Sequence, residues 1–209
     1  MSRLIDFIIT IPILIFSLTL HEIAHGLAAM AMGDKTARAS GRLSFNPIKH
    51  IDWFGFVLLL VAGVGWAKPV PVNMFRFKDP KKGMAITALA GPLTNILLVF
   101  VSLIFLCLGL VYGFNPYVMS ALRTMVYYNA VIAMFNFLPI PPLDGSKIFF
   151  AFLPDKYYYK LMFYERYGMI LILALSYTNM TSRIISVGVN NLISKLSQVV
   201  INLFTLLGV

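Results

Sequence analysis

The sequence predicts an all-α polytopic membrane protein, on three observations. The 209 residues are 59% hydrophobic and only 12% charged, with a mean hydropathy of +0.84. A soluble domain averages about 45–50% apolar and about 25% charged residues. Long apolar runs recur along the chain, and the short links between them collect lysine and arginine, which is how membrane spans and their anchoring loops read. About four to six membrane helices are expected, with a short re-entrant or β-hairpin element around residues 40–67. The chain reads as one domain over residues 1–209, with a core over about 4–153 and accessory helices over about 154–209.

The first span covers roughly Leu4 to Met32, long enough to cross about 30 Å with tilt. Pro12 lies near its middle and Gly33-Asp34 gives a stop signal at its end. Its start resembles the charged end of a signal peptide, but the apolar stretch is too long for one, and it is read as retained. Residues 36–51 are polar and basic and cannot span. The run Trp53–Ala67 is short for a span and carries Gly55, Gly63 and Gly65 between two tryptophans. It is read as a re-entrant hairpin or short strand pair buried against protein. Residues 68–83, with three prolines among basic side chains, form an extended interfacial loop. A second span runs from Met84 to about Tyr112 and a third from Tyr117 to about Phe137. Three prolines within Leu138-Pro139-Ile140-Pro141-Pro142 stop the third outright. The Tyr-rich stretch 155–167 suits a headgroup belt, and residues 168–177 and 184–209 give one or two further helices.

The net charge of +9 does not point to nucleic acid. Its lysines and arginines cluster in the links, among them Lys35, Arg38, Arg42, Lys49, Lys68, Arg76, Lys78, Lys81 and Lys82. That is the positive-inside pattern facing anionic lipid headgroups, whereas nucleic-acid binding wants a folded basic surface. The lone Cys107 excludes an internal disulfide and a cysteine metal site. A multi-pass protein of the cell membrane follows, with the lipid bilayer as its surroundings.

Near the end of the first span stands His21-Glu22-Ile23-Ala24-His25. Four residues apart on a helix, the two imidazoles leave one face within one turn, and Glu22 stands about 100° round. H-E-x-x-H is the pattern in which two histidines bind Zn²⁺ and the glutamate acts as general base. Ionisable groups at membrane depth are costly and mark function. The motif lies two to three turns from the basic loop, so the site falls nearer the cytoplasmic side. A catalytic zinc wants a third protein ligand and an open position. Asp6 is about four turns away, too far. Asp34, Asp52, Asp79, Asp155 and Glu165 sit in aqueous-looking stretches and read as solvated carboxylates. His50 reads as a loop anchor. Asp144 follows a proline-unwound span, and unwound backbone at membrane depth must line a cavity or be buried. It is the expected third ligand.

HEIAH in one span, AGPLTN in another and FNFLPIPPLDG closing a third resemble the site-2 protease family of intramembrane zinc metalloproteases. The stretches GRLSFNPIKHIDWFG and GWAKPVPVN resemble its compact prokaryotic branch, which carries no PDZ or CBS domain. The resemblance spans about Thr19 to Lys147. It implies one Zn²⁺ per chain on His21, His25 and Asp144, Glu22 as catalytic acid/base, and Asn136 as a substrate-backbone or transition-state contact. Asn95 falls in the family's second-span motif and is a further candidate for such a contact. The implied activity is hydrolysis of peptide bonds in or near the transmembrane segments of membrane-protein substrates, in regulated intramembrane proteolysis. An intramembrane metal-ion transporter or channel is the alternative, but it would spread polar residues over several spans.

Overall fold

The computed structural model describes residues 3–62, 65, 67–176 and 179–208. Helix α1 (Arg3–Ala31) runs through Pro12 without a break and stops where the sequence says it should. Gly33 takes φ of +108°, and the amides of Gly33 and Asp34 turn back to the carbonyls of Met30 and Ala29 at 3.1 and 2.9 Å. This is a Schellman stop, which needs the left-handed φ that glycine adopts freely. After it come a one-turn helix, α2 (Thr36–Ala39), a 3₁₀ turn at Pro47–Lys49, and helix α3 (Trp53–Ala62).

Of the two forms expected here, a re-entrant segment or a short strand pair, α3 departs from the strand pair. Among the described residues strand pairing is confined to one antiparallel bridge, Ile51 to Ala67, and Trp53–Ala62 closes its hydrogen bonds along a helix instead. Its Trp53, Phe54, Val57 and Val61 are largely exposed, as suits a short helix facing lipid. Gly63 and Trp66, part of that expectation, lie outside the described residues.

Helix α4 (Pro80–Tyr112) begins before the expected Met84 because Asp79 caps it, its carboxylate accepting from the amide of Lys82 at 3.1 Å, with proline in the first turn. It ends at Gly113, again left-handed. Helix α5 (Pro116–Asn136) repeats the device: Asn115 accepts from the amide of Tyr117 at 2.8 Å, and Pro116 opens the helix. The proline-rich break follows, and α6 (Asp144–Phe150) restarts the chain. Then come α7 (Asp155–Phe163), a 3₁₀ turn, α8 (Gly168–Ser176) and α9 (Asn179–Leu206). Among the described residues, four helices are long and apolar enough to cross a membrane, over Phe7–Ala31, Pro80–Tyr112, Pro116–Asn136 and Ser182–Leu206.

α4 is the hub and packs on α1, α5, α6 and α9. Against α9 and α5 it builds an apolar seam of Val99, Leu103, Val126, Ala130, Val189 and Val200. Against α1 it offers small residues, Thr87, Ala88 and Gly91, all buried, so the backbones approach closely as membrane helices require. Lys81 at the start of α4 donates to the carbonyl of Leu153 and pairs with Asp155 at 3.0 Å. The end of α1, the start of α4 and the segment after α5 therefore share one end of the molecule, the end rich in lysine and arginine.

Candidate active site

α1 places His21 and His25 on one face, and their rings meet edge to face with centroids 4.5 Å apart. α6 brings Asp144 to them from across α4. The Nε2 atoms of His21 and His25 lie 3.0 Å apart, and each is 3.2 Å from Oδ2 of Asp144. All three side chains are buried. Among the described residues this is the group of histidines and acids able to hold a metal, so the expected third donor is where the other two converge.

The opposite nitrogens are occupied. His25 Nδ1–H donates to the carbonyl of Thr87 at 2.7 Å, and His21 Nδ1–H donates to Oδ1 of Asn95 at 2.6 Å. With the proton on Nδ1, each neutral imidazole turns a lone pair inward from Nε2. Two lone pairs and a carboxylate oxygen thus face one another, and Oδ2 of Asp144 is buried with no hydrogen-bond donor among the described residues. Such an oxygen is strongly unfavourable unless a cation offsets it. Nitrogen and oxygen ligands about 2.0–2.1 Å from a tetrahedral zinc sit roughly 3.3–3.4 Å from one another. The observed separations fit that donor set, and each histidine is braced on its outer nitrogen as zinc-binding histidines are.

Close approach makes the cluster possible. A Cβ on Gly91 would stand 2.5 Å from Nε2 of His25 and 2.6 Å from Cε1 of His21, so the rings fill the place of a side chain. Gly145 is needed for space rather than for an unusual turn. It lies inside α6, and a Cβ there would meet the carbonyl oxygens of Phe137 and Leu138 at 2.4 Å.

Glu22, 9% exposed, accepts through Oε2 from the amide of Val70 at 2.8 Å. The segment carrying Val70 is pinned throughout. Lys68 N–H donates to the carbonyl of His50 at 2.9 Å, Arg42 donates to the carbonyls of Lys68 and Pro69, and Asn73 N–H donates to Asp34 at 2.6 Å. Asp34 corrects the sequence reading: it is fully buried, not solvated, and also accepts from the amide and hydroxyl of Thr36. Burial alone would raise its pKa, but these donors and Arg76 at 3.9 Å prevail and hold the carboxyl below the usual range. The other acids are placed as structural partners, Asp52 on the amide of Gly55, Asp155 on Lys81 and Glu165 on Lys147.

A cavity of about 370 Å³ lies between α1, α5 and the 47–56 segment, with mostly apolar walls. Asn136, at the end of α5, lies on its wall beside Leu143, the residue before Asp144. The Asn136 amide nitrogen donates to the carbonyl of Ile132 at 3.0 Å. His50, 2% exposed, also lines the cavity. It anchors its loop as expected, Nε2–H donating to the carbonyl of Ser44 at 2.8 Å, and its Nδ1 is buried without a partner among the described residues. Asn95 differs from the expectation of a substrate contact. It has no exposed surface, lies behind His21, and bonds to Asn129 of α5 rather than lining the cavity. Ser17 and Asn129, both fully buried beside it, were not singled out from sequence. A lone amide in a span gives no sign of which helix it faces.

Residues 9–127 match peptidase family M50. The match takes in His21, Glu22, His25 and Asn95 and ends before Asp144, which the fold itself brings in. The chain is 41% identical over 180 residues to "Putative zinc metalloprotease YwhC" of Bacillus subtilis (strain 168), covering 82% of this chain and 81% of that protein. A protein with the same style of name, MJ0611 of Methanocaldococcus jannaschii, is 32% identical over 69% of this chain and 76% of its own. Rip2 of Mycolicibacterium smegmatis, again so named, is 29% identical over 66% and 55%. No solved structure matches. The chain belongs to peptidase family M50, a zinc-dependent metalloprotease built on membrane-type helices.

Proposed function

We propose that the protein hydrolyses peptide bonds in or near the transmembrane segments of other membrane proteins, with zinc held by His21, His25 and Asp144. The observation that carries this reading is the triangle of inward-facing donors inside a bundle of membrane-type helices. Bound there, zinc supplies Lewis acidity, bringing water toward a pKa of about 7 and polarising a peptide carbonyl. The chain's own residues do the rest. Glu22, one residue from His21, takes the proton of the attacking water and returns it to the leaving amine. The amide of Val70 fixes the rotamer of that carboxylate, which keeps the proton acceptor in place. Asn95 and Thr87, each accepting from an Nδ1, keep the buried imidazoles in the ligating tautomer.

The substrate is a membrane-spanning segment unwound enough to offer a carbonyl. The apolar cavity beside α1 and α5 suits its side chains, and Asn136 offers a polar contact on its wall. The basic end of the molecule, holding Lys35, Arg38, Arg42, Lys81 and Lys82, faces the cytoplasm of the cell membrane under the positive-inside rule. The site opens nearer that side, and regulated intramembrane proteolysis is the process it serves.

The test is Glu22→Gln beside the parent, both reconstituted in liposomes with a panel of single-span reporter proteins. Cleavage falling by about 100-fold or more, with zinc content unchanged, is expected. Equal cleavage by both proteins would overturn the role given to Glu22, and zinc-dependent ion flux without cleavage would overturn the protease reading and leave a transporter.

A further inference from the structure

We propose that Asn129 is a positioning residue for zinc binding, setting through Asn95 which nitrogen of His21 carries the proton. The inference rests on His21 being a zinc ligand. Its basis is the polarity of a buried chain of hydrogen bonds that crosses three helices.

The chain starts at a group with only one possible polarity. The amide nitrogen of Asn129 lies 2.9 Å from the carbonyl oxygen of Met125, one turn back on α5. A carbonyl can only accept, so the amide face turned that way is the NH₂. The same nitrogen donates to Oγ of Ser17 on α1 at 2.9 Å. Oδ1 of Asn129 is thereby turned to α4, where it accepts from Nδ2 of Asn95 at 2.8 Å. Asn95 in turn presents its oxygen to His21 at 2.6 Å. An acceptor there requires a proton on Nδ1, which leaves Nε2 as the bare donor facing His25 and Asp144. Ser17, Asn95 and Asn129 have no exposed surface, so no bulk solvent reaches either amide to accept a reversed orientation.

Asn95 cannot fix its own direction. Its amide has an oxygen on one side and NH₂ on the other, and rotation by half a turn exchanges them. Reversed, it would offer N–H to His21, favour the proton on Nε2, and remove that lone pair from the metal. Asn129 blocks this by meeting Asn95 with an oxygen. A carboxylate at position 95 would need no such guide, because both its atoms accept.

That difference gives the experiment. Zinc affinity is measured in detergent micelles, by competition with a chromophoric chelator, for the parent, Asn129→Leu, Asn95→Asp/Asn129→Leu and Asp144→Ala. Asn129→Leu is expected to bind zinc roughly 10–100-fold more weakly, although position 129 touches neither His21 nor the donor triangle. The double variant is expected to recover to within about threefold of the parent, since the acceptor is restored without its guide. A merely packing role for Asn129 would not be rescued by a change at position 95. Parent-like affinity in Asn129→Leu, or no recovery in the double variant, would overturn the proposal. Parent-like affinity in Asp144→Ala would instead overturn the zinc-site reading beneath it. Should Asn129→Leu fail to accumulate, ¹⁵N NMR of histidine-labelled, zinc-free parent reads the tautomer directly. A proton on Nδ1 of His21 supports the relay, and one on Nε2 overturns it.

Discussion

α4 and α5 take part in two seams that hold their helices together by different means. Toward α1 the seam is polar: Asn95 and Asn129 meet Ser17 and His21, and Thr87 meets His25, with almost no surface exposed. Toward α9 it is apolar, made of Val99, Leu103, Val126, Ala130, Val189 and Val200. Lipid tails are as apolar as valine, so the second seam gains little from excluding its surroundings and holds by shape alone. The first is joined by directed hydrogen bonds, with one permitted direction for each amide. Polar contacts of this kind specify an arrangement, and apolar ones fill the space it leaves. The comparison predicts that damage to the polar seam removes zinc, whereas damage to the apolar seam removes only stability.

The largest effect is expected where the polar seam has no room to yield. Gly91→Ala sets a methyl 2.5–2.6 Å from both imidazoles, a distance real contacts do not reach. Either α1 and α4 separate or the rings turn, and both outcomes break the triangle. Zinc affinity and cleavage should fall by about 100-fold or more, while circular dichroism keeps its helical signal. Normal zinc binding in this variant would break the comparison at its strongest point.

A second polar node lies at the mouth of the site. Asp34 gathers donors from Thr36 and Asn73 and holds the segment that presents Val70 to Glu22. Its carboxyl is held below the usual range by those bonds against the opposing effect of burial. For a depressed carboxyl, the stabilisation is complete above the unfolded value near about 4 and is lost as pH falls through the folded one. Asp34→Asn should destabilise by about 2 kcal/mol at neutral pH and speed hydrogen exchange across residues 68–76, with zinc still bound. In the parent the same loosening should appear only in acid. Loss of zinc from Asp34→Asn at neutral pH would show that the two polar nodes are one unit.

The two seams were unequally legible in the sequence. The i, i+4 histidines and their glutamate declare themselves by spacing, and Asp144 by the proline break before it. The family match stops short of Asp144, so that candidate ligand depends on the break being read as buried backbone. Asn129 gave no such signal, because its meaning lies in Met125, Ser17 and Asn95, and pairing between helices leaves no periodicity. Asp34 was read as solvated from its basic neighbours Lys35 and Arg38. Its key donor, Asn73, is 39 positions away, beyond any local pattern. Over residues 53–67 the glycines and short length suggest a re-entrant hairpin or strand pair, but the apolar run Trp53–Ala62 satisfies its backbone in lipid most simply as a helix.

The smallest effect is expected in the apolar seam. Val200 on α9 is fully buried among Val99, Leu103 and their neighbours, and Val200→Ala removes two methyl groups there. In water the loss would combine a transfer term and a cavity term. Between helices in lipid the transfer term nearly vanishes, because the methyls leave one hydrocarbon environment for another. What remains is a cavity of roughly 50 Å³ at about 24 cal/mol per Å³, or about 1 kcal/mol. A thermal melt in micelles should shift down accordingly, and zinc content and cleavage per folded molecule should not change. If zinc content falls with the melt, Val200 must be propagating strain through α4 to His21, and the seams are coupled rather than separate.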